Sequence, residues 1–190
     1  MKIGIGCDHS ACDMRDEIKT HLISQGYDVE DFGTQDAKSV DYPVIAKAVA
    51  DKVADKTLTF GILICGTGIG MSLAANKVKG IRCAMLSDTY SARMTREHND
   101  ANMMSMGARV IGVELAKDIV DTFLKTECPH VARHDARVKK WRHAAHIESS
   151  AHTLTRFIGV ILHPCTECVR DGYACPMPAG DTVVPICRNT

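Results

Sequence analysis

The sequence predicts an α/β fold, doubly wound around a roughly five-stranded parallel sheet. Three observations carry this expectation. Strand-like and helix-like segments alternate five times before the basic segment near residue 130. Residues 59–64 form a nearly unbroken apolar run, as in a strand covered on both faces. Residues 113–125 place Ala116, Ile119, Val120 and Phe123 on one helical face.

Each element has its own local reason. Residues 2–6 are short, apolar and β-leaning, and end in Gly6-Cys7-Asp8-His9-Ser10. A helix is expected over 11–25, where Met14, Ile18, His21 and Leu22 share a face, and Gly26 stops it. Residues 27–31 read as a second strand and 32–41 as a loop. Asp41 is a plausible cap for the next helix, with Pro43 in its first turn and Ile45, Ala48, Val49 and Val53 as its stripe. The third strand, 59–64, runs into Cys65-Gly66-Thr67-Gly68-Ile69-Gly70 and a helix over 71–77. Residues 80–86 read as the fourth strand, and Ser87-Asp88 cap a helix through about residue 98. Residues 102–106 with Val110-Ile111 form a broken fifth strand. After the helix over 113–125, a polar, basic helix is expected over 134–149. Ligands of such sheets bind beyond the C-terminal strand ends. Three polar sets are expected there: Asp8-His9, Cys65 with its glycines, and His98-Asn99.

At 190 residues the chain is long enough for one large domain with an appendage, here 1–149 and 150–190. The second part holds four of the six prolines and loses periodicity after Leu162, so an irregular extension is expected. No apolar run approaches the ~20 residues of a membrane span. Residues 1–6 are too short and glycine-interrupted for a signal peptide, and a cytoplasmic location is expected. Zero formal net charge argues against nucleic-acid or membrane binding through bulk charge. The charge is uneven, however. Residues 1–127 hold 15 Lys/Arg against 18 Asp/Glu, and 128–148 hold 5 against 2 with four histidines, so this basic segment is either an anion contact or a solvated face.

The residues able to carry chemistry cluster at the turns. Gly66–Gly70 does not fit G-x-G-x-x-G, and no P-loop lysine follows, so a nucleotide site is disfavoured. A thiol facing a helix N-terminus has its thiolate favoured, which makes Cys65 either a base or nucleophile or an inert core thiol. Asp8-His9 and His98-Asn99-Asp100 add acid–base groups. No H-x-x-x-H or Cys/His pair at ligand spacing occurs in residues 1–127, and no metal or cofactor is expected. Arg133 and Arg137, four apart, share a helix face and suit a phosphate or ordinary ion pairing. Cys7, Cys12, Cys65, Cys83 and Cys128 are expected to be free thiols.

Taken together, Gly6-Cys7-Asp8-His9, Asp41-Tyr42-Pro43, the segment from Ile64 to Ser72, Gly80-Ile81-Arg82, His98-Asn99-Asp100-Ala101-Asn102, Gly107-Ala108-Arg109-Val110 and Arg133-His134 with Arg137-Val138 resemble one family. It is the type B ribose-5-phosphate isomerase family, which includes galactose-6-phosphate and allose-6-phosphate isomerases. The resemblance covers about residues 1–148. It implies a Rossmann-like three-layer α/β/α domain with a C-terminal helix, forming a homodimer, or a tetramer built from it, with active sites shared between subunits. It implies Cys65 as the base between C1 and C2, assisted by Thr67, with Gly66, Gly68, Ile69, Gly70 and Ser72 around the enediolate oxygens. His98 would open the sugar ring, Asp8 and Asn99 would meet the sugar, and Tyr42 would line the pocket. His9, Arg109, Arg133 and Arg137 would hold the phosphate. Cys65 with Asp8-His9 and the arginine pair favours a pentose 5-phosphate, with a hexose 6-phosphate or a non-catalytic phosphosugar-binding role as alternatives. The chain departs from the family in its extension, where Cys165, Cys168, Cys175 and Cys187 suit a zinc site, a redox pair or an irregular tail.

Overall fold

The computed structural model describes residues 1–34 and 38–149, with side chains as far as Trp141. The chain divides into a unit Met1–Lys139 and a second, Lys140–Thr190. The extension 150–190, with its cysteines, lies outside the described residues.

Five strands form one parallel sheet: β1 (Lys2–Cys7), β2 (Asp28–Asp31), β3 (Phe60–Cys65), β4 (Cys83–Met85) and β5 (Met103–Gly107). Their order is β2-β1-β3-β5-β4. The helices are α1 (Cys12–Ser24), α2 (Tyr42–Ala54), α3 (Ile69–Ala75), α4 (Thr89–Asn99), α5 (Val113–Lys125) and α6 (Ala132–Ser149). The expected three-layer α/β/α arrangement is present. Among the described residues no helix is long and apolar enough to cross a membrane.

The alternation of side chains along β3 divides the core. Ile62 and Ile64 pack with Ile18 and Leu22 of α1, Ala92 of α4 and Ile119 and Phe123 of α5. Leu63 and Cys65 point the other way, to Val49 and Val53 of α2 and Met71 and Ala75 of α3. Burying each such aliphatic side chain stabilises the fold by up to ~1.5–3 kcal/mol. Thus the chain reverses its winding between β1 and β3, and the crevice beyond their carboxyl ends is the position where such sheets bind ligands.

The structure corrects the sequence reading at three places. Helix α3 starts at Ile69, because Gly68 adopts the left-handed conformation (φ 79°) and turns the chain directly into the helix. Val110 and Ile111 belong to a turn after β5, their amides bonded to Gly107 O, and not to the strand. His98 and Asn99 do not lie at a C-terminal strand end. They end α4, which runs antiparallel to the strands, and Asn102 just beyond bonds back to Arg82 before β4. They therefore sit at the N-terminal edge of the sheet. Cys65 pairs with Gly107 at the far end of β5, so that strand puts about 15 Å between the two places.

Buried polar residues fix the rims. Arg15 is 2% exposed, and its Nη1 donates to Asp31 Oδ1 at 2.9 Å. Burial opposes ionisation of Asp31, but Lys19, the Gly33 amide and Arg15 outweigh it and hold the carboxyl below its usual range. At the opposite rim Asp100 is left-handed (φ 47°), and its side chain accepts from Arg82 Nη2 at 2.7 Å and Arg96 Nη1 at 3.3 Å. Arg82 Nε also donates to the Asn99 and Asp100 carbonyls. Arg96 lies over the Phe60 ring, 4.7 Å from its centroid. The two arginines hold the turn that carries His98.

Candidate active site

A cavity of about 450 Å³ opens beyond β1 and β3, lined by Asp8, His9, Ser10, Tyr42, Cys65, Gly66, Thr67, Ile69, Gly70 and Arg109. That size is within the ~300–1,000 Å³ of small-molecule sites. Strand β1 delivers Asp8 and His9, strand β3 delivers Cys65, and the turn after β5 delivers Arg109.

The thiol is set by the turn that follows it. The Gly68 amide donates to Cys65 Sγ at 3.1 Å. A Cβ on Gly68 would come within 2.9 Å of the Met106 backbone, so positive φ and close approach both require glycine there. A Cβ on Gly70 would come within 2.8 Å of the Tyr42 ring, which brings that ring against the turn. Thr67 Oγ1 accepts from the Ile69 amide at 3.4 Å. Cys65 is 6% exposed, so its sulfur meets little water yet lines the cavity. Two other buried thiols are unsuited to acid–base work at neutral pH. Burial pushes Cys7 up to about 12 against the pull of Arg15, and burial pushes Cys83 up to about 12 as well. Neither lines the cavity.

Opposite the thiol, Asp8 Oδ1 accepts from the Ser10 amide at 2.9 Å and from Ser10 Oγ at 2.6 Å. These two bonds fix the loop that carries Asp8 along the cavity wall. His9 Nδ1 is buried with no hydrogen-bond partner among the described residues, although a buried polar atom is ordinarily paired. The Arg109 amide donates to Gly66 O at 3.1 Å, which ties its loop to the glycine turn, and its side chain is exposed. Among the described residues no three His, Cys, Asp or Glu side chains converge as a metal site.

The expected site residues separate into two groups. Asp8, His9, Tyr42, Cys65, Gly66, Thr67, Ile69, Gly70 and Arg109 line one cavity, and Gly68, outside the lining, bonds to the Cys65 sulfur. Ser72 lies under the turn, its Oγ donating to Cys83 O at 3.1 Å, and does not line the cavity. His98, Asn99, Arg133 and Arg137 are also absent from the lining. They gather instead at the far edge of the sheet. There the His98 ring stacks on His134 with centroids 4.2 Å apart and planes 13° from parallel. Arg133 Nε donates to His134 Nε2 at 3.1 Å. Burial, then His98, Arg133 and Arg137, hold His134 below the usual histidine range. Arg133 and Arg137 are exposed on the first turns of α6.

Ser10 and His134 stand in the sequence motifs but carry no expected role there. The Asp-x-Ser spacing of an Asx turn was the available signal for Ser10. His134 was overshadowed by the arginines around it.

The family model described as Ribose/Galactose Isomerase matches residues 3–141. The chain is 47% identical over 138 residues to the ribose-5-phosphate isomerase B of Escherichia coli, spanning 73% of this chain and 92% of that protein. It is 43% identical over 127 residues to a galactose-6-phosphate isomerase subunit, LacB, of Clostridium acetobutylicum, spanning 67% of this chain and 73% of that one. Among solved structures, the ribose-5-phosphate isomerase B of Clostridium thermocellum superposes with a TM-score of 0.76 at 50% identity, covering 78% of this chain and 100% of that one.

Proposed function

The chain belongs to the ribose/galactose isomerase family, and from that premise we propose that it interconverts ribose 5-phosphate and ribulose 5-phosphate through an enediolate, with Cys65 as the base. The observation that carries this reading is the thiol at the end of β3. It holds an amide on its sulfur inside a cavity that also presents Asp8, His9 and Arg109.

Aldose–ketose isomerisation asks for one base that moves a proton between adjacent carbons and for donors aimed at developing charge. In the open-chain aldose, Cys65 takes the proton from C2 while the electron pair moves onto O1, giving the enediolate. The same sulfur returns the proton to C1. The O2 proton leaves as the C2 carbonyl forms, O1 takes one up, and the ketose results. The amides of residues 66–70 hold the two oxygens, and the Thr67 hydroxyl assists their proton exchange. Asp8 binds the sugar and Tyr42 walls the pocket. His9 and Arg109 meet the phosphate, whose binding anchors the sugar away from the reacting carbons.

Ring opening is assigned to His98, with Asn99 on the sugar and Arg133 and Arg137 on the phosphate. Within one chain these residues lie at the far edge of the sheet, so they reach a Cys65 only from a second copy. We therefore place the active site between the two subunits of a homodimer. A cytoplasmic location follows from this metabolite substrate.

A substrate panel on the purified full chain tests the proposal. Turnover of ribose 5-phosphate above allose 6-phosphate and galactose 6-phosphate is expected. Turnover of a hexose phosphate alone would reassign the substrate, and binding without turnover would make the chain a phosphosugar-binding protein. The identity to the Clostridium acetobutylicum subunit makes the hexose arm the necessary control.

A further inference from the structure

Ser105 is a fully buried hydroxyl in the middle of β5, between Met104 and Met106. A hydroxyl is unfavourable in such surroundings unless it is hydrogen-bonded, and a methyl would suit the neighbouring side chains better. Its bond is specific. Ser105 Oγ donates to the Gly68 carbonyl at 2.8 Å. Gly68 is also the residue whose amide donates to Cys65 Sγ at 3.1 Å. The Cys83 thiol lies against the hydroxyls of Ser105 and Ser72, so a small polar cluster sits directly below the turn.

We propose that Ser105 is a positioning residue for the reaction: by holding the Gly68 carbonyl it keeps the Gly68 amide aimed at the Cys65 sulfur. This rests on the reading of Cys65 as the base. Gly68 has two soft dihedrals between its amide and its carbonyl. Its φ of 79° is a conformation only glycine adopts freely, so nothing intrinsic to the residue keeps it there. A Cβ there would meet the Met106 backbone, so no side chain can take over the holding. The Ser105 hydroxyl fixes the carbonyl, and with that end fixed the amide direction follows. The Ser72 amide also donates to Gly68 O, at 3.1 Å. Removing the Ser105 hydroxyl therefore leaves that carbonyl bonded and the turn folded, with its aim relaxed.

The test compares wild type, Ser105→Ala and Ser105→Thr, with folding checked by thermal unfolding. Two quantities are read: steady-state kinetics on ribose 5-phosphate, and the rate at which iodoacetamide alkylates Cys65, followed on the Cys65 peptide by mass spectrometry. A sub-ångström loss of alignment predicts a kcat about tenfold lower in Ser105→Ala, with KM within about twofold. Cys65 alkylation at neutral pH falls about fivefold as the aligned donor is lost. Ser105→Thr keeps the hydroxyl and restores both quantities to within about twofold. Wild-type alkylation and kcat in Ser105→Ala overturn the proposal. So does a Thr variant as impaired as the Ala variant, which would leave Ser105 a packing role only. If the wild type turns over no ribose 5-phosphate, the assigned reaction fails, and the alkylation rates still decide the role of Ser105.

Discussion

Gly68 stands over Cys65 with its amide 3.1 Å from the sulfur, in a backbone conformation (φ 79°) that side chains resist. Gly68→Ala would set a Cβ 2.9 Å from the backbone of Met106. The left-handed conformation alone costs about 1–2 kcal/mol for a residue with a Cβ, and the collision adds to it. Chemical denaturation should show a loss of at least that size. Because the displaced amide leaves the thiol, kcat should fall about 10²-fold, as for loss of one preorganised donor. An alanine variant with wild-type stability and turnover would mean that the turn tolerates another path.

A second prediction concerns how the site is shared. Cys65→Ala and His98→Ala should each be inactive alone. Unfolded together and refolded as a mixture, they should recover about a quarter of wild-type activity. In a symmetric dimer half the molecules are mixed, and each mixed molecule has one intact site. No recovery, with dimers confirmed by light scattering, would return His98 to its own chain and leave the 15 Å separation along β5 unexplained.

The rim under Asp31 should govern acid stability. The carboxyl titrates below its usual range in the folded state, so its contribution is present above the unfolded pKa near 3.9. That contribution is lost as pH falls through the lower folded value. Asp31→Asn leaves Arg15 buried beside a neutral amide. It should cost about 3 kcal/mol at pH 7, the low end for a broken buried pair, because Asp16 still lies 2.7 Å from Arg15 Nε. The same variant should show a flatter stability curve between pH 5 and 2 than wild type, measured by urea titration.

His134 loses stability on acidification as Asp31 does, but in a higher pH window. Its folded pKa lies below the ordinary histidine value of 6.5, so the unfolded state takes up the proton first. The neutral ring's contribution to stability is complete above that value and declines as pH falls below it. A protonated ring cannot accept from Arg133 and repels it, along with Arg137. An NMR titration should find the His134 midpoint below 6.5. A midpoint above that value would contradict the stack-and-acceptor arrangement with His98 and Arg133.

These sites differ in how far the sequence reveals them. Cys65 with its glycines and Asp8-His9 are legible because strand, turn and ligand groups are contiguous. A buried strand that ends in a thiol and glycines needs no distant partner to be read. The three-layer sheet is equally legible, since every crossover in it is local. The placement of His98 differs from the sequence expectation because it ends a helix and not a strand, and a crossover helix returns the chain to the opposite edge of the sheet. Ser105 was missed because a strand with the pattern Met-Met-Ser-Met reads as core, and only the fold brings its hydroxyl to Gly68. Ser72, drawn to the substrate by its place in the motif, spends its hydroxyl on the Cys83 carbonyl below the turn.

The most direct measurement is isomerisation of ribose 5-phosphate in D₂O by wild type and Cys65→Ala, with deuterium uptake at the transferred carbon followed by NMR. With Cys65 as the base, the alanine variant should lose both isomerisation and deuterium exchange, by about 10³-fold. Turnover within tenfold of wild type, or exchange that persists without the thiol, would show that another group moves the proton.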